Sequence, residues 1–188
     1  ELTNLQLMLQ NQIETFASRT MKEGDQIVPG EFGYAQSSYV RVSSITQGST
    51  AEDFIGYTLT GAVSGVKAFV NFATAETSSD DVTFYVSYEN SGTTATDAVF
   101  TEGETLESDT PNKYTANVGV TSISKPITSP AMGQGSLFTV KEGYYFIDGT
   151  SCRNSEQTIT LDKYDTSPTY SVGFLVAETF IDSEENPL

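Results

Sequence analysis

The 188-residue sequence contains no histidine, no tryptophan and a single cysteine, with only 9 lysines and arginines against 25 aspartates and glutamates. Without histidine, neither a Ser-His-Asp nor a Cys-His nucleophile can be assembled. The lone Cys152 forms no intrachain disulfide and has no histidine to share a zinc site with, so it reads as a small, half-buried strand residue. No apolar run approaches the ~20 residues that a membrane-spanning helix needs. The formal net charge of -16 is spread along the chain, which makes nucleic acid and anionic membrane surfaces disfavoured partners.

What is abundant points to β-structure. Serine and threonine make up about a quarter of the residues, and 10 tyrosines and 11 phenylalanines accompany them. That is the composition of short strands with polar outer faces, in a chain long enough to bury roughly 70% of its unfolded surface.

The first stretch, ELTNLQLMLQNQIETF, differs from the rest. Leu2, Leu5, Leu9, Gln12 and Phe16 recur at alternating steps of three and four, the a/d spacing of a coiled-coil seam, with Ile13 beside them. Leu7 and Met8 widen the apolar surface beyond that stripe. Arg19 and Lys22 come late, as the helix dipole favours, and Gly24 supplies a stop. The pattern predicts a helix over 1–24, ending near residue 22 and about 33 Å long. Two readings follow: an oligomerisation helix with Leu2, Leu5, Leu9, Gln12 and Phe16 at its interface, or an amphipathic helix packed on its own β-domain.

Residues 25–37, with Pro29-Gly30 as punctuation, read as a linker. From residue 38 the period becomes two. SYVRVSSI, DFIGYTLTG, VKAFVNFATA and VTFYVSYENSG read as strands; in the last, Val82, Phe84, Val86 and Tyr88 form a packed face and Thr83, Tyr85 and Ser87 a wet one. Between 92 and 134 the pattern weakens to loops with short strands, YTANVGV the clearest. SLFTV, KEG and YYFIDGTSCR predict a hairpin, QTITLDKY and TYSVGFLVAETFI complete the strands, and 183–188 is an acidic tail. The expected fold is mainly β, an antiparallel sandwich or barrel over 38–182 preceded by one α-helix.

Candidate chemistry is sparse. Asp80-Asp81 and Glu184-Glu185 are adjacent carboxylate pairs, but neighbours on a strand face opposite ways, which suits no acid/base dyad. Clustered acidic loops could gather calcium, yet no D-x-D-x-D-G loop is present and DSEEN reads as a solvated tail. GAVSGV and PGEFGY lack the order of a phosphate-binding loop. Tyr144 with Tyr145, Tyr164 with Tyr170, or Tyr34 with Tyr39 could form a sugar-stacking surface, the basis of a carbohydrate-binding alternative; the competing reading places them in the core. No catalytic, cofactor or metal residue is assigned.

The stretches ELTNLQLMLQNQIETF, GDQIVPGE, VKAFVNFATA and VTFYVSYENSG, the looser FTEGETL with Phe100, Glu102, Gly103 and Glu104, and above all YYFIDG and LDKYDTSPTYSVGF resemble a family of virion structural proteins. These belong to large contractile-tailed bacteriophages, notably those infecting marine cyanobacteria, and share a domain of undefined function. The likeness covers nearly the whole chain and is firmest after residue 134. It implies a non-enzymatic tail-fibre or baseplate component located in the phage tail, docking neighbouring tail proteins. It implies, too, a longer parent polypeptide, and by analogy with long fibres a homotrimer joined through the first helix.

Overall fold

The structure is a computed structural model that describes residues 2–90, 92, 99–119 and 130–177, with side chains from residue 4 onward. In chain order, α1 (Leu2–Thr20) is followed by β1 (Gln26–Val28), β2 (Phe32–Ile45), β3 (Thr58–Gly61), β4 (Lys67–Thr74) and β5 (Val82–Asn90). Then come β6 (Thr105–Ser108), β7 (Thr115–Val118), β8 (Met132–Val140), β9 (Gly143–Ile147), β10 (Thr150–Asn154) and β11 (Gln157–Asp162). The chain is thus mainly β with one amino-terminal helix, as its composition and periodicity predict.

Six of these strands close into an antiparallel barrel in the order β2-β5-β4-β3-β6-β7, sealed where β7 returns to β2. Alternation builds its interior. Val40 and Val42 from β2, Val82, Phe84 and Val86 from β5, Val70 from β4, Leu59 from β3 and Leu106 from β6 all point inward and are buried. A 3-10 turn, Ala51–Phe54, plugs one end, with the Phe54 ring 4.9 Å from that of Phe84. Side chains fill so small a barrel.

The 14-residue length of β2 has a structural reason: it pairs with two partner strands in succession along one edge. Val42 to Ile45 pair with β7 and close the barrel, whereas Phe32 to Val40 pair with β8, which carries β11 on its far side. The two partners meet at Arg41, whose carbonyl accepts the Gly119 N–H and whose N–H donates to the Ala131 carbonyl, both at 2.8 Å. A separate three-stranded sheet, β1-β9-β10, lies beside this extension.

Several boundaries differ from the sequence reading. The helix ends at Thr20, and residues 25–37 carry β1 and the front of β2 instead of a bare linker. DFIGYTLTG is a strand only from Thr58, because Asp53 and Phe54 belong to the plugging turn. The expected β8–β9 hairpin does not form. Its Lys141-Glu142 connection crosses between sheets, and the hairpin is β9–β10, turning on Asp148 and Gly149 with φ of 47° and 78°. Positive φ at both central residues gives the twist that suits a two-residue β-turn. The predicted wet face of β5 is wet only at Ser87; Thr83 and Tyr85 are buried because the chain after β11 crosses over them. TYSVGFLVAETFI forms no strand over 169–177, and its remainder, like the acidic tail with Glu184 and Glu185, lies outside the described residues.

Candidate assembly surface

The root of α1 is fastened to the β9–β10 hairpin. The Lys22 N–H donates to Asp25 Oδ2 at 2.8 Å, the Gly24 N–H to the Phe146 carbonyl at 2.9 Å, and the Phe146 N–H to the Asp25 carbonyl at 2.9 Å. Both oxygens of Glu23 accept the Asp148 N–H at 3.2 Å. From that root the helix projects with only a shallow crevice between Leu9, Ile13 and the turn at Gly149–Ser151.

Among the described residues, α1 buries none of its large apolar side chains. Leu5, Leu7, Met8, Leu9, Ile13 and Phe16 are between 52% and 70% exposed, and Gln12 is exposed with them. At about 100° per residue, Leu5, Leu9, Gln12 and Phe16 share one stripe, Met8 and Ile13 flank it on opposite sides, and Leu7 lies on the back. Of the predicted interface, the structure places these four residues together on an open face; the Leu2 side chain lies outside the described set. Residues 2–20 contain only two charged groups, Glu14 and Arg19, in a chain of net charge -16.

At the root of the helix lies a groove of about 450 Å³, lined by Phe32, Phe138 and Val140 of the extension sheet, Tyr145 of the small sheet, and Val172 and Phe174. The Phe174 ring packs 4.9 Å from Tyr145, and Phe32 stacks 6.1 Å from Phe138. The apolar surface of α1 and this groove therefore lie at the same end of the molecule.

The other candidates resolve into structural roles. Asp80 and Asp81 are both buried and face different cations: Asp81 accepts from Arg41 Nη2 at 3.0 Å, and Asp80 accepts from Lys163 Nζ at 2.8 Å and Tyr164 OH at 2.5 Å. Burial alone would raise the Asp80 pKa, but the hydrogen bonds from Lys163 and Tyr164 outweigh it and hold the carboxyl below its ordinary value. Among the described residues, no three metal-ligating side chains come together. Each proposed tyrosine pair has a member occupied elsewhere: Tyr39 and Tyr145 are buried, and the Tyr164 hydroxyl is bound to Asp80. Cys152 is half-buried on β10, opposite Tyr145.

Two groups escaped the sequence reading. Arg41, between Val40 and Val42, has the alternation of an outward residue, yet it is 3% exposed beneath the Tyr164 ring, 5.5 Å from the ring centre. Glu104 in FTEGETL is 4% exposed and accepts four hydrogen bonds, from the N–H groups of Val63, Ser64 and Thr101 and from Ser64 Oγ, at 2.7 to 2.9 Å. The signal for Glu104 was its place after Gly103, at the end of a turn that returns the chain to the barrel. No family model, no curated protein and no solved structure matches this chain.

Proposed function

We propose that this chain is a structural subunit that assembles with copies of itself through α1. The observation that carries the reading is the open apolar surface of the helix, with Leu5, Leu9 and Phe16 on one stripe and each more than half exposed. A 19-residue helix without tertiary packing is marginal in water, and most helical stability in proteins comes from burying an apolar face. Each fully buried leucine contributes on the order of 2 kcal/mol, so a few layers need added contact from the β-domains, and the groove at the helix root supplies apolar area there. Gln12 forms a polar layer that fixes register at some cost in stability.

The setting we propose is the tail of a contractile-tailed phage, as a fibre or baseplate component that docks neighbouring tail proteins and has no enzymatic role. It rests on the resemblance of YYFIDG and LDKYDTSPTYSVGF to such virion proteins. The homotrimer rests on analogy with long fibres.

Light scattering of the full chain tests the assembly. We expect an oligomer for the native sequence and a monomer, with unchanged circular dichroism in the β region, for the double variant Leu9→Glu, Phe16→Glu. A native monomer at tens of micromolar would overturn the reading. Ionic strength gives a second handle. Because the helix is nearly uncharged while each copy carries -16, salt screens repulsion between the bodies and the association constant rises with salt, opposite to an interface held by ion pairs.

A further inference from the structure

After β11 the chain leaves the sheets, and a small set of contacts holds it. Asp80 grips Lys163 and Tyr164, the Ser136 hydroxyl donates to the Asp165 carbonyl at 2.7 Å, and the Tyr34 hydroxyl donates to the Thr166 carbonyl at 2.9 Å. The Tyr164 ring packs edge-on against Tyr39 at 4.9 Å. Gly135 makes this approach possible, since a Cβ there would lie 2.9 Å from the Lys163 carbonyl carbon. Beyond Ser167 no residue up to Ala177 pairs into a sheet or enters a helix.

That stretch, PTYSVGFLVA, carries no charge and alternates in a way that fits the groove beneath it. Val172, Phe174 and Val176 line the groove, while Leu175 between them is 96% exposed. Among the described residues this strand-patterned segment joins no ladder, and its groove-lining Val172, Phe174 and Val176 stay 40% to 51% exposed. Such segments belong to the low-stability end of a fold and open without global unfolding.

We propose that residues 168–177 are a latched strap: a displaceable wall of the apolar groove at the root of α1, held in place by the grip of Asp80 on Lys163 and Tyr164. The latch has one site on the barrel and one on the departing chain, so it couples the strap to the barrel wall. Loss of either hydrogen bond to Asp80 weakens the hold on the departing chain and leaves it to the contacts at Asp165 and Thr166; lifting then exposes more of Phe138 and Val140, beside a Phe32 that is already half exposed. This inference does not rest on the assembly reading, although both involve the groove at the root of α1, and the protease test reads a property of the single chain.

Trypsin reads the latch directly. Residues 164–188 contain no lysine or arginine, so a cut after Lys163 sheds them as one piece. The full chain, Asp80→Asn and Tyr164→Phe are digested at neutral pH, with cleavage after Lys163 compared with cleavage after Lys67 in barrel strand β4 by mass spectrometry. Tyr164→Phe keeps the ring on Tyr39 and removes only the hydroxyl. We expect cleavage after Lys163 to speed up by about tenfold in both variants, the factor matching loss of one charge-assisted hydrogen bond, with cleavage after Lys67 unchanged. Fluorescence of the apolar anionic dye 8-anilinonaphthalene-1-sulfonate rises in parallel. Cleavage at the native rate in both variants overturns the latch. Equal acceleration after Lys67 overturns it as well, because the barrel would then be loosening as a whole. Faster cleavage without a rise in dye fluorescence overturns the strap as a displaceable wall of the groove.

Discussion

Replacing Glu104 by alanine is expected to destabilise the protein by about 4 kcal/mol, measured as a lower urea midpoint at unchanged slope. One carboxylate closes two turns of the barrel: Oε2 takes the N–H groups of Val63 and Ser64 in the turn after β3, and Oε1 takes Ser64 Oγ and the Thr101 N–H. Alanine leaves all of these donors unanswered where the side chain was buried, each at a cost of about 1 to 3 kcal/mol before relaxation. The same loss lowers the melting temperature by about 10 °C in a domain of this size. Glu104→Gln recovers only part, because its amide nitrogen confronts donors where an oxygen accepted. The pH dependence has a definite sign. Burial would raise the Glu104 pKa, but hydrogen bonds from Ser64, Thr101 and Val63 outweigh it and hold it below the ordinary glutamate value. A depressed carboxyl contributes stability that is full above its unfolded pKa and lost as pH falls through the folded one, so the gap between native and Glu104→Ala narrows as pH falls below the ordinary glutamate range. Measuring the two proteins together at each pH cancels the relief of self-repulsion that the whole acidic chain feels on approaching its isoelectric point near 4.1.

The sequence made faces legible but left open what covers them. Val82, Phe84 and Val86 were readable as one packed face, and they line the barrel; the stripe through Leu5, Leu9 and Phe16 was readable as helical, and it is. Thr83 and Tyr85 look wet in the sequence because period two reports only that they point away from Val82 and Phe84. Their burial comes from Lys163 and Tyr164, some 80 positions later, and nothing local encodes that contact. Closure was hidden for a similar reason. The pairing of β2 with β7 joins Val42 to Val118, a contact between distant segments whose own patterns fit a sandwich equally well. At 169–177 the alternation was real but insufficient, since a strand also needs an edge to pair with. Pro29-Gly30 was read as punctuation in a linker, yet a Cβ at Gly30 would lie 2.7 Å from the Lys141 carbonyl, so this glycine marks where two connections cross. Of the candidate interface, the residue positions were legible, while the groove at its root depended on three separated segments.

Replacing Arg41 by leucine is expected to cost about 3 to 5 kcal/mol, while the double variant Arg41→Leu, Asp81→Leu recovers most of that loss. The Arg41–Asp81 pair is 4% and 7% exposed at its side chains, with Nη2 and Oδ2 3.0 Å apart. Taking both charges out of water is expensive, and their attraction largely repays that expense without a large surplus. Removing only the cation takes from the buried Asp81 carboxylate its Arg41 partner, which is why the single change is severe; removing both leaves no such charge in the interior. Chemical denaturation of the two singles and the double closes the cycle, and a coupling energy near zero would sink this account. Position sharpens the prediction. Arg41 lies where β7 ends and β8 begins along the shared edge of β2, and its guanidinium lies over the Tyr164 ring. A double variant that is stable but cleaves faster after Lys163 would therefore separate two contributions of this arginine: neutralising Asp81, which leucine at both positions makes unnecessary, and seating Tyr164, which leucine cannot fully replace.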